Sequence, residues 1–207
     1  MKLSVIIPVY NEEKTVAKIV KQVLAEKTPK EVIIVDDGST DQTREIIKKL
    51  KDNRIKKLFH AKNSGKGAAI RTGIKNAIGE ILLIQDADLE YDPKYYQELL
   101  RPIALGQSKV VYGTRLKTLP FRLWGQDKTP FPLHYLVNRF LSALTNLLYG
   151  SNLTDMETCY KMISKDIYQK LNLISNRFEI EPEITAKILK MGYSILEVPI
   201  TTKPRSY

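Results

Sequence analysis

Runs of branched apolar residues alternate along the first half of the chain with stretches in which apolar residues recur every three or four positions. Residues 3–7 are a short apolar run closed by Pro8, and Val16, Ile19, Val20, Val23 and Leu24 then repeat at helical spacing. The pair predicts a strand followed by an amphipathic helix. Val32-Ile33-Ile34-Val35 predicts a second strand, and Ile46, Ile47 and Leu50 a second helix with Thr40 or Asp41 near its N-cap. Residues 55–59 make a weaker third strand, and Ile70, Gly73, Ile74, Ala77 and Ile78 line one side of a third helix. Ile81-Leu82-Leu83-Ile84 reads as a fourth strand buried on both faces. The repeated strand, helix, strand order predicts an α/β fold, its mostly parallel sheet joined by right-handed crossovers.

The pattern changes after residue 115. Pro120, Phe121, Leu123, Trp124, Pro130, Phe131 and Pro132 form an aromatic, proline-rich loop. Leu133, Leu136, Val137, Phe140, Leu141, Leu144, Leu147 and Leu148 then follow helical spacing, with Gly150 placed to end the helix. This helix is expected to pack on the sheet, and the loop to gate an acceptor or touch a membrane surface. Residues 163–173 predict a short helix, and residues 181–191 another, with Ile180, Ile184 and Ile188 on one stripe. Residues 195–200 read as a last strand, broken by Pro199 and so suited to a sheet edge. Glu179, Glu181 and Glu183 alternate near a helix start, where negative charge is favourable.

Chemistry gathers at the strand ends, where open α/β sheets place their ligands. The fourth strand stops at Asp86-Ala87-Asp88. If extended geometry persists through Asp88, residues two apart point to one side and the two carboxylates lie together. Such a pair suits Mg²⁺ or Mn²⁺, which complete their shells with water and substrate phosphates; the same residues also suit a plain turn. The second strand ends in Asp36-Asp37, which reads either as a ligand-binding strand end or as an Asx-turn capping the next helix. The first ends in Pro8-Val9-Tyr10-Asn11-Glu12, not the G-x-G-x-x-G of a dinucleotide-binding protein. Gly65-Lys66-Gly67-Ala68 lacks the earlier glycine and the Ser or Thr of a P-loop. Lys66 at a helix start either attracts an anion or stands exposed beside flexible glycines.

Composition narrows the partners. The chain has 207 residues, 43% hydrophobic and 27% charged, and 33 Lys plus Arg against 23 Asp plus Glu give a net charge of +10. That excess points to an anionic partner: nucleic acid, a phosphorylated substrate or a membrane surface. Cys159 is the one cysteine, which excludes an intrachain disulfide and multi-cysteine zinc sites and fits a reducing compartment. The start of the chain is too short before Pro8 for a secretory signal, and no apolar run is long enough to span a bilayer.

Four motifs stand in a set order: Val5-Ile6-Ile7-Pro8-Val9-Tyr10-Asn11-Glu12, Val35-Asp36-Asp37-Gly38-Ser39-Thr40-Asp41, Asn63-Ser64-Gly65-Lys66-Gly67 and Asp86-Ala87-Asp88. Together they resemble the family 2 glycosyltransferases of GT-A fold. Tyr112-Gly113-Thr114-Arg115 is similar to that family's turn after the next strand. Residues 153–161 and 177–184 resemble the branch acting on polyprenyl phosphates, the dolichyl-phosphate mannose synthase group. The resemblance covers essentially the whole chain. It implies one catalytic domain over 1–207, with 1–115 as the nucleotide-sugar half and 116–207 as the acceptor side. Relatives usually continue past this point with a basic segment, so truncation after Tyr207 stays open.

By the same resemblance Pro8, Tyr10, Glu12, Val35 and Asp37 hold the nucleotide, with Asp37 on the base or ribose. Asp86 and Asp88 hold the metal and diphosphate, with Ala87 approaching through its backbone; Glu90 stands where many relatives have Gln. Arg115 and Arg205 face the phosphates, and Arg115, Arg122, Arg139 and Arg205 are candidates to position two anions. The implied donor is of the GDP-mannose or UDP-glucose type, and the implied product an inverted glycosyl link to a polyprenyl phosphate.

Charge supplies the mechanism. A cation on Asp86 and Asp88 would stabilise the departing diphosphate. A phosphate acceptor, with a second pKa of ~6, is already an anion and needs no general base, whereas a saccharide hydroxyl would need one, for which Asp155 or Glu157 are candidates. The expected place is the cytoplasmic face of an anionic membrane, in peripheral contact. A nucleotidyltransferase would need a different first loop. A basic nucleic-acid-binding module is the nonenzymatic alternative, and it would be indifferent to Asp86→Ala; no nucleic acid is expected as partner.

Overall fold

The computed structural model describes residues 1–28, 30–117 and 132–203. Its first half alternates β1 (Leu3–Val9), α1 (Val16–Ala25), β2 (Lys30–Asp36), α2 (Thr43–Lys49), β3 (Ile55–Phe59), α3 (Lys66–Asn76) and β4 (Ile81–Ile84). Then follow α4 (Tyr96–Ala104), β5 (Val110–Thr114), α5 (Pro132–Tyr149), β6 (Lys161–Ser164), α6 (Lys165–Tyr168), α7 (Ile180–Lys190) and β7 (Leu196–Pro199). The seven strands form one sheet in the order β3-β2-β1-β4-β6-β5-β7. The β1–β2, β1–β4, β2–β3 and β5–β7 pairs are parallel, and β6 runs antiparallel to both β4 and β5.

The predicted strand and helix pattern holds across the first half. Val16, Ile19, Val20 and Val23 bury the inner face of α1, and Val5, Ile6, Ile7, Val32, Ile33, Ile34, Val35 and all of β4 are closed to solvent. Because β1, β2 and β4 are parallel, their C-terminal ends open on one edge, which positions the site.

Several details differ from the sequence reading. β1 runs through Pro8 to Val9. Gln85 N–H donates to Ile6 O, so the even residues of β1 face β4, and the N–H that Pro8 lacks would point past the end of that strand. Thr40 does not cap α2; Asp41 accepts from Thr43 N–H at 3.0 Å instead. Ile78 lies beyond α3 and is exposed. Ile163 is in β6, not a helix, because β4 and β5 both offer it a ladder.

The largest difference is α5. It forms where predicted, and Gly150 follows it at φ +63°. Its apolar side, however, faces outward: Leu133, Leu136, Phe140, Leu147 and Leu148 are all more than half exposed. Its inner side is polar, with Asn138, Ser142 and Thr145 buried. Ser142 Oγ accepts from Met156 N–H, and Asn146 both donates to Leu153 O and accepts from Leu153 N–H. The helix is therefore held by hydrogen bonds to the 153–156 loop, not by burying its leucines. No helix among the described residues is long and apolar enough to cross a membrane.

Candidate functional site

Extended geometry ends at Ile84, so Asp86 and Asp88 are presented by a turn and not by successive residues of one strand face. Gln85 fixes that turn. Its side chain is fully buried; Nε2 donates to Asp86 O and Tyr91 O, and Oε1 accepts from the Tyr96 and Tyr160 hydroxyls at 2.8 and 2.7 Å. Every hydrogen-bonding position of the amide is used. Leu89 takes φ +69°, a left-handed conformation that a branched side chain adopts at a cost, and Asp88 Oδ1 accepts from Glu90 N–H at 3.0 Å.

The two carboxylates still feel one another. Burial, and then the neighbouring Asp86 charge, push Asp88 up to about 6. Burial alone would raise Asp86 as well, but Lys66 outweighs it and holds that carboxyl below its ordinary range. Lys66 Nζ lies 2.8 Å from Asp86 Oδ1 and 3.0 Å from Glu181 Oε1. Behind Glu181 stands Lys161, fully buried, with Nζ 2.5 Å from Glu181 Oε2 and a second bond to Thr158 O. Asp86, Lys66, Glu181 and Lys161 thus form a line of alternating charge leading inward from the strand end.

A cavity of about 580 Å³ opens at the ends of β1, β2 and β4. Its walls include Pro8, Tyr10, Glu12, Asp37, Lys66, Asp86, Ala87 and Asp88, all foreseen in the sequence, together with Asn63, Gly65, Arg177 and Phe178, which were not assigned. Gly65 sits at φ +99° against the Asn176 carbonyl, an approach that any Cβ would block. Asp37 lines the cavity, but its oxygens accept from His60 Nδ1 at 2.6 Å and from the Ser64 and Gly65 N–H groups. Its visible work is to hold the 60–65 loop.

Other expected residues lie elsewhere. Val35 is buried in the sheet. Glu90 and Arg115 are outside the cavity wall, and Arg139 is exposed on α5. Arg122 and Arg205 lie outside the described residues, as does the aromatic loop. Asp155 is not placed to serve as a base. It is closed to solvent, takes Arg115 Nε and Nη2 at 2.7 and 2.8 Å and Asn138 Nδ2 at 2.7 Å, and Arg115 holds it below its ordinary range against the effect of burial. It positions Arg115, whose guanidinium also lies 5.8 Å from the Tyr91 ring centre. Glu197 of β7 supports this pair by accepting from Thr154 N–H and Asp155 N–H. Nothing in the local sequence marks the contacts of Glu181 or Glu197, whose partners Lys66, Lys161, Thr154 and Asp155 are distant in the chain.

Among the described residues no group of three or more His, Cys, Asp or Glu is arranged to hold a metal ion. Of the acidic residues on the cavity wall, Asp86 and Asp88 are two carboxylates of the donor type that Mg²⁺ or Mn²⁺ take alongside substrate phosphates and water. The raised Asp88 carboxyl fits that use, because a cation would relieve the negative field it senses.

Glu183 anchors residues 174–175, which lead into Arg177 and Phe178 of the cavity wall. Its carboxylate accepts from Ile174 N–H and Ser175 N–H and pairs with Lys187 at 2.7 Å. Burial would raise this group, but Lys187 and those N–H groups outweigh it and lower it from 4.5 to about 2. A lowered folded value contributes stability that is present above pH ~4.5 and lost as pH falls through about 2. The melting-temperature gap between the wild type and Glu183→Gln should accordingly stay constant above pH ~5 and close toward pH 2; a gap that is flat across that window would disprove the assignment.

Residues 4–171 match the family described as Glycosyl transferase family 2. An uncharacterised protein of Methanocaldococcus jannaschii is 30% identical over 210 residues, 97% of this chain and 81% of that protein. The UDP-N-acetylglucosamine–dolichyl-phosphate N-acetylglucosaminyltransferase of Methanococcus voltae is 32% identical over 217 residues, 95% of this chain and 84% of that one. Among solved structures, glucosyl-3-phosphoglycerate synthase from Mycobacterium tuberculosis, in complex with Mn²⁺, UDP and phosphoglyceric acid, superposes with a TM-score of 0.74 at 18% identity. The match covers 99% of this chain and 72% of that one and speaks to the fold.

Proposed function

The chain belongs to glycosyl transferase family 2 and has the GT-A fold, and from that premise we propose that it moves a hexose from a nucleoside diphosphate sugar to the phosphate of a polyprenyl lipid. The observation that carries this reading is the cavity at the ends of β1, β2 and β4, where Asp86, Asp88 and Lys66 face one space. Pro8, Tyr10 and Glu12 from the β1 end hold the nucleoside. Asp86 and Asp88 would hold Mg²⁺ or Mn²⁺, which supplies Lewis-acid stabilisation of the leaving diphosphate when bound. Lys66 adds a positive charge on the wall of the same cavity.

The relative from Methanococcus voltae is named for a UDP-linked sugar and a dolichyl phosphate, which favours a UDP sugar over GDP-mannose here and admits N-acetylglucosamine beside glucose. Asp155, consumed by Arg115 and Asn138, leaves the acceptor side without that base, which suits an acceptor already anionic at neutral pH. In-line attack by that phosphate on the anomeric carbon inverts its configuration.

The outward face of α5 supports a place on the membrane. The helix carries no acidic residue and the chain's net charge is +10, so anionic lipid is the surface it fits. The test incubates the protein with Mn²⁺, a short polyprenyl phosphate and in turn UDP-glucose, UDP-N-acetylglucosamine and GDP-mannose. Release of nucleoside diphosphate from one donor, dependent on the lipid phosphate, is expected; turnover of none rejects the reading. Phe140→Glu should weaken binding to anionic vesicles about tenfold while sparing turnover of the short acceptor; undiminished vesicle binding removes α5 from the membrane.

A further inference from the structure

Lys66 sits between two carboxylates and is ion-paired with both. Nζ is 2.8 Å from Asp86 Oδ1 and 3.0 Å from Glu181 Oε1, and that buried oxygen has no other partner among the described residues. The other oxygen of Glu181 is locked by Lys161, which is closed to solvent and tied as well to Thr158 O. Glu181 Oε1 therefore depends on the Lys66 ammonium, which it shares with Asp86.

We propose that Lys66 is the resting counter-ion of the cation site, and that Glu181 Oε1 is the partner it keeps when a divalent ion takes Asp86. This inference rests on the reading that Asp86 and Asp88 hold such an ion. A dication arriving at Asp86 meets the ammonium already bound there, and the two repel with twice the strength of two unit charges. Entry of the ion alone thus requires breaking the Lys66–Asp86 pair with only Glu181 to receive the lysine. A nucleoside diphosphate changes that balance, since its oxygens offer Lys66 a second anionic partner while they complete the shell of the metal. The ion and the nucleotide then enter as a pair, and the acidic turn does not fill with free metal ahead of substrate. Glu181 acts in this scheme as a positioning residue for Lys66, and α7, which carries it, becomes part of the site.

The experiment follows Mn²⁺ binding by the electron paramagnetic resonance signal of the free ion, first without nucleotide and then with UDP or GDP, after subtracting the Mn²⁺ that nucleotide holds in solution. The wild type should bind Mn²⁺ weakly alone and much more tightly with one nucleotide. Lys66→Met and Lys66→Gln, run in parallel so that one folded variant suffices, should bind Mn²⁺ alone about tenfold more tightly, and the gain from nucleotide should shrink by a similar factor. Arg177→Gln removes an equal charge from the same cavity wall without touching an ion pair to Asp86, and should shift Mn²⁺ affinity less than about twofold. Lys66 variants that bind Mn²⁺ alone no more tightly than wild type, or an Arg177 variant that tightens as much as they do, would overturn the proposal. A wild-type protein that binds no Mn²⁺ even with nucleotide would instead overturn the cation site on which it rests.

Discussion

Asp86→Asn should lower turnover about 10³-fold and abolish any response to Mn²⁺ concentration, at nearly unchanged melting temperature. Asparagine keeps the size of the side chain and the turn fixed by Gln85, so the change removes charge and one anionic oxygen with little else. The fold should tolerate it because Lys66 keeps Glu181 as a partner at 3.0 Å and Asp86 is itself partly exposed. Chemistry should not tolerate it, since leaving-group stabilisation is worth several kcal/mol and Asp88 alone is a single ligand. A companion change separates this from a general loss of negative charge: Asp36→Asn removes a buried carboxylate from the end of β2, where it pairs with Arg44 at 2.7 Å and does not line the cavity. That variant should lose stability and keep the metal response of its folded fraction. Asp86→Asn with more than a tenth of wild-type turnover, or with an intact Mn²⁺ dependence, would remove Asp86 from the reaction.

The first half of the chain was legible because both of its periodicities are strong and local. Val32-Ile33-Ile34-Val35 and Ile81-Leu82-Leu83-Ile84 have no polar position to compete for a solvent face, and a parallel sheet covered on both sides is the arrangement that satisfies them. The acidic strand ends were legible for the same reason, as abrupt stops to apolar runs. What escaped was longer in range. The pattern of α5 is that of a helix packed by its leucines, and the structure reverses it because Asn138, Ser142 and Asn146 find partners in the 153–156 loop that no helical period can announce. Ile163 has a helix former's neighbours but lies between two strands that need a third. The sequence offers Asp155 as a candidate base, but its actual partner, Arg115, is forty residues away in the chain. Glu181 was accounted for by the helix dipole, whereas its carboxylate meets two lysines from α3 and β6.

The Lys161–Glu181 pair carries the largest stability effect. Lys161→Met should destabilise the protein by about 3–5 kcal/mol, measured by chemical denaturation. Lys161 is closed to solvent and Glu181 nearly so, so removing the lysine leaves a carboxylate in the interior with only Lys66 beside it and strips Thr158 O of a donor. The methionine fills the space of the lysine stem, which makes lost charge compensation the dominant cost and not a cavity. The double variant Lys161→Met with Glu181→Leu should recover most of that loss, because two apolar residues of similar volume need no compensation in a low-dielectric interior. It should bind Mn²⁺ without nucleotide more weakly than the wild type, since Lys66 is then left with Asp86 alone. A single variant that loses less than about 1 kcal/mol, or a double variant no more stable than the single, would show that the pair is not the buried, mutually dependent unit its geometry describes. Recovery of stability together with that weaker Mn²⁺ binding would separate what holds α7 to the sheet from what sets the charge of the neighbouring cavity.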